Sequence, residues 1–149
     1  MKILMVCLGN ICRSPLAHGL LQFKSKKITV DSAGTANYHI GKSPDQRSID
    51  IANKYNFDIS KQVARQFTSK DFTLFDKIYA MDTDNYSKII SLAKNQNEID
   101  KVDLILNEIS PGKYQSIPDP YYGGKKGFEN IFDLLEKSCN QIIKKYENR

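Results

Sequence analysis

The chain has 149 residues, 40% of them hydrophobic and 26% charged, which suits one globular domain long enough to bury a core. No apolar run approaches the ~18 residues of a membrane-spanning helix. The opening Met1–Val6 run is too short for a signal peptide and leads into Cys7-Leu8-Gly9-Asn10 rather than a cleavage site, so a cytoplasmic protein without membrane insertion is expected.

Lys2 to Val6 is a short apolar run that ends in a glycine-containing turn, as a buried strand does. Ser14-Pro15 then reads as a helix cap followed by proline at the first helical position. That helix is expected to reach about Lys26, with Leu16, Leu20, Leu21 and Phe23 as its apolar stripe. Ile28 to Ser32 reads as a second strand ending in Ala33-Gly34. Ser43-Pro44 repeats the cap signal and opens a helix through about Tyr55. A brief helical turn is expected over Ser69–Phe72, a third strand over Asp76–Met81 and a helix over Thr83–Lys94. Lys101 to Leu106 reads as a fourth strand, followed by a proline- and glycine-bearing loop from about Asn107 to Lys126. The last helix is the clearest, because Phe128, Ile131, Phe132, Leu135, Cys139, Ile142 and Tyr146 recur at helical spacing. Such alternation of strands and helices implies a single α/β domain with a parallel sheet covered by helices on both faces. Ligands of open sheets bind beyond the carboxyl ends of the strands, where strand order reverses, so the segment after strand one comes first for chemistry.

The three cysteines, Cys7, Cys12 and Cys139, make an odd count that fits free thiols better than a disulfide framework. The net charge of +5 can draw in acidic or phosphorylated partners, although a solvated surface is the favoured reading. Lys24, Lys26 and Lys27, like Lys144 and Lys145, lack the interleaved aromatics of a nucleic-acid platform, and no nucleic-acid partner is expected.

The segment after strand one is Cys7-Leu8-Gly9-Asn10-Ile11-Cys12-Arg13-Ser14-Pro15. A strand-to-helix loop with an early glycine can curl so that its backbone N–H groups converge, and beside a helix N-terminus that makes an oxyanion site. Arg13 would add a planar grip on two phosphate oxygens. The same field stabilises a sulfur anion at Cys7, the form that attacks, and leads to a covalent phosphocysteine. The loop amides and Arg13 would stabilise the charge developing on phosphorus oxygens, while Ser14 would place a hydroxyl near the sulfur. The bland alternative is a buried cysteine and a capping serine in an ordinary turn. A proton donor for the leaving oxygen is sought in Pro118-Asp119-Pro120-Tyr121-Tyr122-Gly123-Gly124, where Asp119 is the candidate acid and the tyrosines a wall for an aryl group. The same residues also make an ordinary turn.

These two segments together resemble the low-molecular-weight protein tyrosine phosphatase family across essentially the whole chain. Val30–Thr35, Ala64-Arg65-Gln66 and Ala80-Met81-Asp82 are similar to further landmarks of that family. The resemblance implies a Rossmann-like four-stranded parallel sheet flanked by helices, and a hydrolase without metal or cofactor. It implies Cys7 as nucleophile, Arg13 as phosphate clamp and Asp119 as general acid and then base. The loop residues Leu8, Gly9, Asn10, Ile11, Cys12 and Ser14 would surround the phosphate, with Asn10 holding the loop strained. Tyr38, Tyr121 and Tyr122 would join Leu8 along the cleft for the phosphotyrosine ring of a protein substrate. Ser32 would support the loop. Two departures stand out: Gln62 falls near the place of a supporting histidine, and Tyr38 falls where tryptophan is frequent. A reversible Cys7–Cys12 disulfide is implied under oxidation.

Two histidines, His18 and His39, make a metal site unexpected; His18 reads as a helix-surface residue and His39 as a cleft-rim residue. Cys139 reads as core, Asp84 as a helix start, and Asp82 as a residue steadying the active-site loops. The competing functions are a thiol-dependent arsenate reductase, an arginine-phosphate phosphatase and a non-catalytic phosphate-binding module. The first needs a further closely spaced cysteine pair, and the second tends to have threonine at the position of Ile11.

Overall fold

The computed structural model describes residues 1–120 and 124–147. Strand β1, Lys2–Cys7, shows why the sheet is buried on both sides. Successive side chains alternate between faces, so Ile3, Met5 and Cys7 enter one hydrophobic layer while Leu4 and Val6 enter the other. β1 pairs in parallel with β2, Thr29–Gly34, on one side and with β3, Lys77–Ala80, on the other. β4, Val102–Leu104, pairs in parallel with β3 and completes the order β2-β1-β3-β4. The chain thus steps outward from β1 to β2 and returns to the far side of β1 for β3. The reversal lies at the carboxyl end of β1, directly after Cys7.

One face is covered by α1, Arg13–Lys24, α2, Gln46–Lys54, and the 23-residue helix ending the described chain, Gly124–Tyr146. Leu16, Leu20 and Leu21 of α1 meet Phe128, Ile131, Phe132, Leu135, Cys139 and Ile142 of that long helix in one continuous layer. Each such large side chain contributes about 1.5–3 kcal/mol by leaving water. The other face is covered by α3, Asp71–Leu74, and α4, Thr83–Leu92, through Phe72 and Ile89. A short helix, α5, spans Gln96–Asp100, and a 3₁₀ turn over Ile105–Glu108 follows β4; the long last helix is therefore α6. No helix among the described residues is long and apolar enough to cross a membrane.

The four strands and their parallel pairing match the sequence expectation; several ends differ for local reasons. Ser14 does not cap α1, which starts two residues earlier than expected, with Cys12 at the cap position and no side-chain cap. The Ser14 hydroxyl is instead turned toward Cys7. Pro15 stays in the first turn, where its missing N–H costs nothing. α2 opens after Asp45 rather than at Ser43-Pro44, since the Asp45 carboxylate accepts from the Arg47 N–H at 2.9 Å. The helix expected to reach Lys94 stops at Leu92, because Asn95 caps α5 as a separate piece. α6 begins at Gly124, inside the expected loop. Phe23, placed on the apolar stripe of α1, is 56% exposed and stacks on Phe57 at 5.6 Å.

Candidate active site

The segment between β1 and α1 is pinned from outside through its carbonyls. Cys7 and Leu8 carbonyls accept from the N–H groups of Thr35 and Ala36, each at 2.9 Å. The Ile11 carbonyl accepts from Asp45 N–H at 2.7 Å, and that of Cys12 from the Ser48 hydroxyl at 3.2 Å. With the oxygens turned away, the N–H groups of Leu8 to Cys12 donate to no protein acceptor among the described residues. The result is a nest of amides continuous with the α1 N-terminus, which favours an anion.

Asn10 sets the curl. Its φ of 57° lies in the left-handed region, which asparagine tolerates better than most side chains. Its side chain is tied at both ends: Nδ2 donates to Ser14 Oγ at 2.8 Å, and Oδ1 accepts from Arg65 N–H at 3.1 Å. Two glycines allow the close packing around it. A Cβ on Gly34 would sit 2.7 Å from the Leu8 carbonyl oxygen, and one on Gly9 would sit 2.8 Å from His39 Cδ2.

Cys7 lies at the floor of this loop, 3% exposed, with Sγ 3.0 Å from Ser14 Oγ. Arg13 is equally buried, and its Nη1 donates to Asp82 Oδ2 at 2.7 Å and to the Ile117 carbonyl at 2.9 Å. Burial opposes its charge, but Cys7, Asp82 and Asp119 outweigh burial and hold the guanidinium above its ordinary pKa. Asp82 reaches Arg13 from the end of β3 while its other oxygen caps α4 through Asn85 N–H at 2.7 Å. It therefore steadies the site by fixing the guanidinium. Asp119 is half-exposed, and Oδ2 lies 3.9 Å from Arg13 Nη2.

These groups line a cavity of about 400 Å³ bounded by Cys7, Leu8, Gly9, Ile11, Cys12, Arg13, Tyr38, His39 and Asp119. Asn10 and Ser14 are not on its wall; both are buried behind the loop and act on it from there. Tyr121 and Tyr122 lie outside the described residues. Burial, with Asp45 and Cys7 adding to it, pushes the Cys12 thiol up to about 12. Cys139 is wholly buried in α6 and is likewise pushed to about 12 by burial, as a core cysteine. Among the described residues no three His, Cys, Asp or Glu side chains are grouped to hold a metal ion.

Two supports behind the loop were not legible in the sequence. His18 does not face outward: it is half-buried, with Nδ1 3.0 Å from Ser32 Oγ and the Gln62 amide beside it. Gln62 also donates to the Pro15 carbonyl at 3.1 Å, so it ties its segment to the first turn of α1. Arg65 is the second support. Beyond its N–H to Asn10, its guanidinium bridges Asp31 at 3.1 Å and the buried Asp71 at 3.0 Å.

Comparison with known proteins bears on the same arrangement. The family described as "Low molecular weight phosphotyrosine protein phosphatase" matches residues 2–149. A low molecular weight phosphotyrosine protein phosphatase of Schizosaccharomyces pombe is 38% identical, over 96% of this chain and 95% of its own. A protein tyrosine phosphatase from Entamoeba histolytica, crystallised with Hepes in its active site, superposes with a TM-score of 0.90 at 37% identity, covering 99% and 97% of the two chains. A Drosophila arginine phosphatase superposes at 0.89 with 28% identity, covering 99% and 98%. The Cys7–Arg13 loop fits the phosphate-loop motif of these proteins, and the chain belongs to the low molecular weight phosphotyrosine protein phosphatase family.

Proposed function

We propose that this chain hydrolyses phosphotyrosine in protein substrates, acting as a single phosphatase domain over residues 1–149. The observation that carries the reading is the Cys7 sulfur in the cavity walled by the Leu8 to Cys12 loop, with the fixed Arg13 guanidinium on the same wall. An oxyanion such as phosphate is gripped there by the loop amides of Leu8 to Cys12 and by Arg13. The Cys7 thiolate attacks phosphorus, the bond to the tyrosine oxygen breaks, and Asp119 gives its proton to that oxygen. Water then attacks the phosphocysteine, Asp119 takes a proton from it, and the sulfur leaves as thiolate while Ser14 donates to it. Leu8, Ile11 and Tyr38 offer an apolar wall that suits an aryl ring better than a guanidine.

The test is turnover of an aryl phosphate in the presence of a chelator. Cys7→Ser should abolish turnover while phosphate binding persists, and Asp119→Ala should slow alkyl-substituted phenols more than nitrophenols. Retained turnover in Cys7→Ser sinks the mechanism. An arginine-phosphate substrate hydrolysed faster than phosphotyrosine would move the assignment to the competing phosphatase class.

Three free thiols suit a reducing, cytoplasmic setting. Under peroxide, Cys7 would pass to a sulfenic acid, and the Cys12 thiol would displace water from it to form a Cys7–Cys12 disulfide. Burial pushes the Cys12 thiol up to about 12, so Cys12 is not the thiol that peroxide attacks first. A linked peptide by mass spectrometry, with activity restored by dithiol, is expected; irreversible loss with no such peptide counts against it.

A further inference from the structure

Beside the cleft the surface changes character. Tyr38 lines the cavity yet is 68% exposed, and Ile40 and Val63 are 57% and 64% exposed. The last two lie on different segments brought together by the backbone: Gly41 N–H donates to the Ala64 carbonyl at 2.9 Å, and Ala64 N–H to the Lys42 carbonyl at 2.8 Å. The positive φ of Gly41, 86°, makes the turn that brings Ile40 to this position. An exposed Ile or Val alone is unremarkable, but three large apolar side chains exposed on two backbone-linked segments, one of them on the cavity wall, make an apolar ledge beside the cleft.

We propose that Tyr38, Ile40 and Val63 receive an apolar side chain of the substrate polypeptide, placed close in sequence to the phosphotyrosine. The proposal rests on the phosphatase reading above. A phosphotyrosine seated with phosphorus over Cys7 leaves its own backbone at the cleft rim, where Tyr38 stands. In an extended chain the residue two positions along lies ~7 Å away with its side chain on the same side, which brings it from the rim onto the ledge. Three side chains offer far less than the ~800 Å² per partner that a stable dimer buries, so the ledge fits a peptide segment rather than a second copy of this chain.

The experiment uses phosphotyrosine peptides built on alanine, with a single leucine moved through the positions flanking the phosphotyrosine, and 4-nitrophenyl phosphate as the small substrate. For the wild type, leucine at one flanking position should raise kcat/KM about fivefold to tenfold over the all-alanine peptide, carried by KM. In the Ile40→Ser/Val63→Ser double variant that gain should fall below about twofold, with 4-nitrophenyl phosphate turnover unchanged. A gain that survives in the double variant, or no gain at any position in the wild type, overturns the ledge while leaving the phosphatase reading intact. A wild-type dimer by sedimentation that the double variant dissolves would reassign the ledge to a second copy and overturn the proposal. Absence of 4-nitrophenyl phosphate turnover in the wild type brings down the phosphatase reading and the ledge with it.

Discussion

Asn10 and Asp82 are not among the residues that wall the cavity, yet the side chain of each holds one half of the anion site. Asn10 keeps a left-handed φ of 57° and two hydrogen bonds, which substitution can separate. Asn10→Gly preserves the backbone freedom and removes both bonds, so its kcat on an aryl phosphate should fall ~10-fold, about the worth of one or two buried hydrogen bonds. Asn10→Ala loses the bonds and also strains the backbone, and should fall further, with lower stability. Full activity in Asn10→Gly would mean that backbone shape alone holds the nest. Asp82→Asn retains a cap for α4 but removes the charge facing the buried Arg13 guanidinium. The clamp then loses its fixed orientation, and kcat/KM should drop ~10²-fold, within the range for impaired oxyanion stabilisation. Unaltered kcat/KM would show that the Ile117 carbonyl suffices to aim Arg13.

A loop between a strand and a helix works only if both neighbours hold still, and the end of β2 is the less obvious of the two. Gly34 closes β2 against the back of the loop, with Leu8 oxygen and Asn10 nitrogen 2.7 and 3.0 Å from where a Cβ would stand. Gly34→Ala must therefore push either the strand or the nest, at about 1–3 kcal/mol of overpacking. Inhibition constants for vanadate should rise together with loss of kcat; unchanged oxyanion affinity would show that the strand gives way instead. The strand, loop and helix order was legible because short apolar runs, helical periodicity and the Cys7 to Arg13 spacing are local signals. The supporting roles of Arg65 and His18 were not, because they are tertiary. Arg65 finds Asp31 and Asp71 from other segments, and His18 is turned toward Ser32 by the packing of α1 on β2, which leaves no periodic trace. Cap positions failed for a related reason: Ser14 has one hydroxyl, and the Cys7 sulfur with Asn10 engages it in preference to the helix end. Only the position of His18, on the same helix turn as Leu21, hinted that it faces inward.

The whole fold inherits an acid sensitivity from these same supports. His18 is shifted below its ordinary 6.5 chiefly by burial; Arg65 adds to the shift, while Asp31 and the Gln62 amide oppose it. Its folded pKa thus lies below the unfolded one, so above 6.5 both states carry a neutral imidazole and no stability is at stake. As the pH falls through 6.5 the unfolded chain takes up a proton that the folded chain refuses, and stability declines until the folded pKa is reached. Asp45, held below its usual 3.8 by Arg47, acts in a lower window: its contribution is present above 3.8 and is lost as the pH drops through the depressed folded value. Urea unfolding should therefore show stability decreasing as the pH falls below 6.5, before carboxylates protonate. His18→Asn, which keeps a hydrogen-bonding partner for Ser32 but no titrating group, should flatten that part of the curve while leaving the loss near Asp45 in place. A wild type and variant with parallel curves just below pH 6.5 would place the acid sensitivity elsewhere and remove His18 from the pH response of the fold.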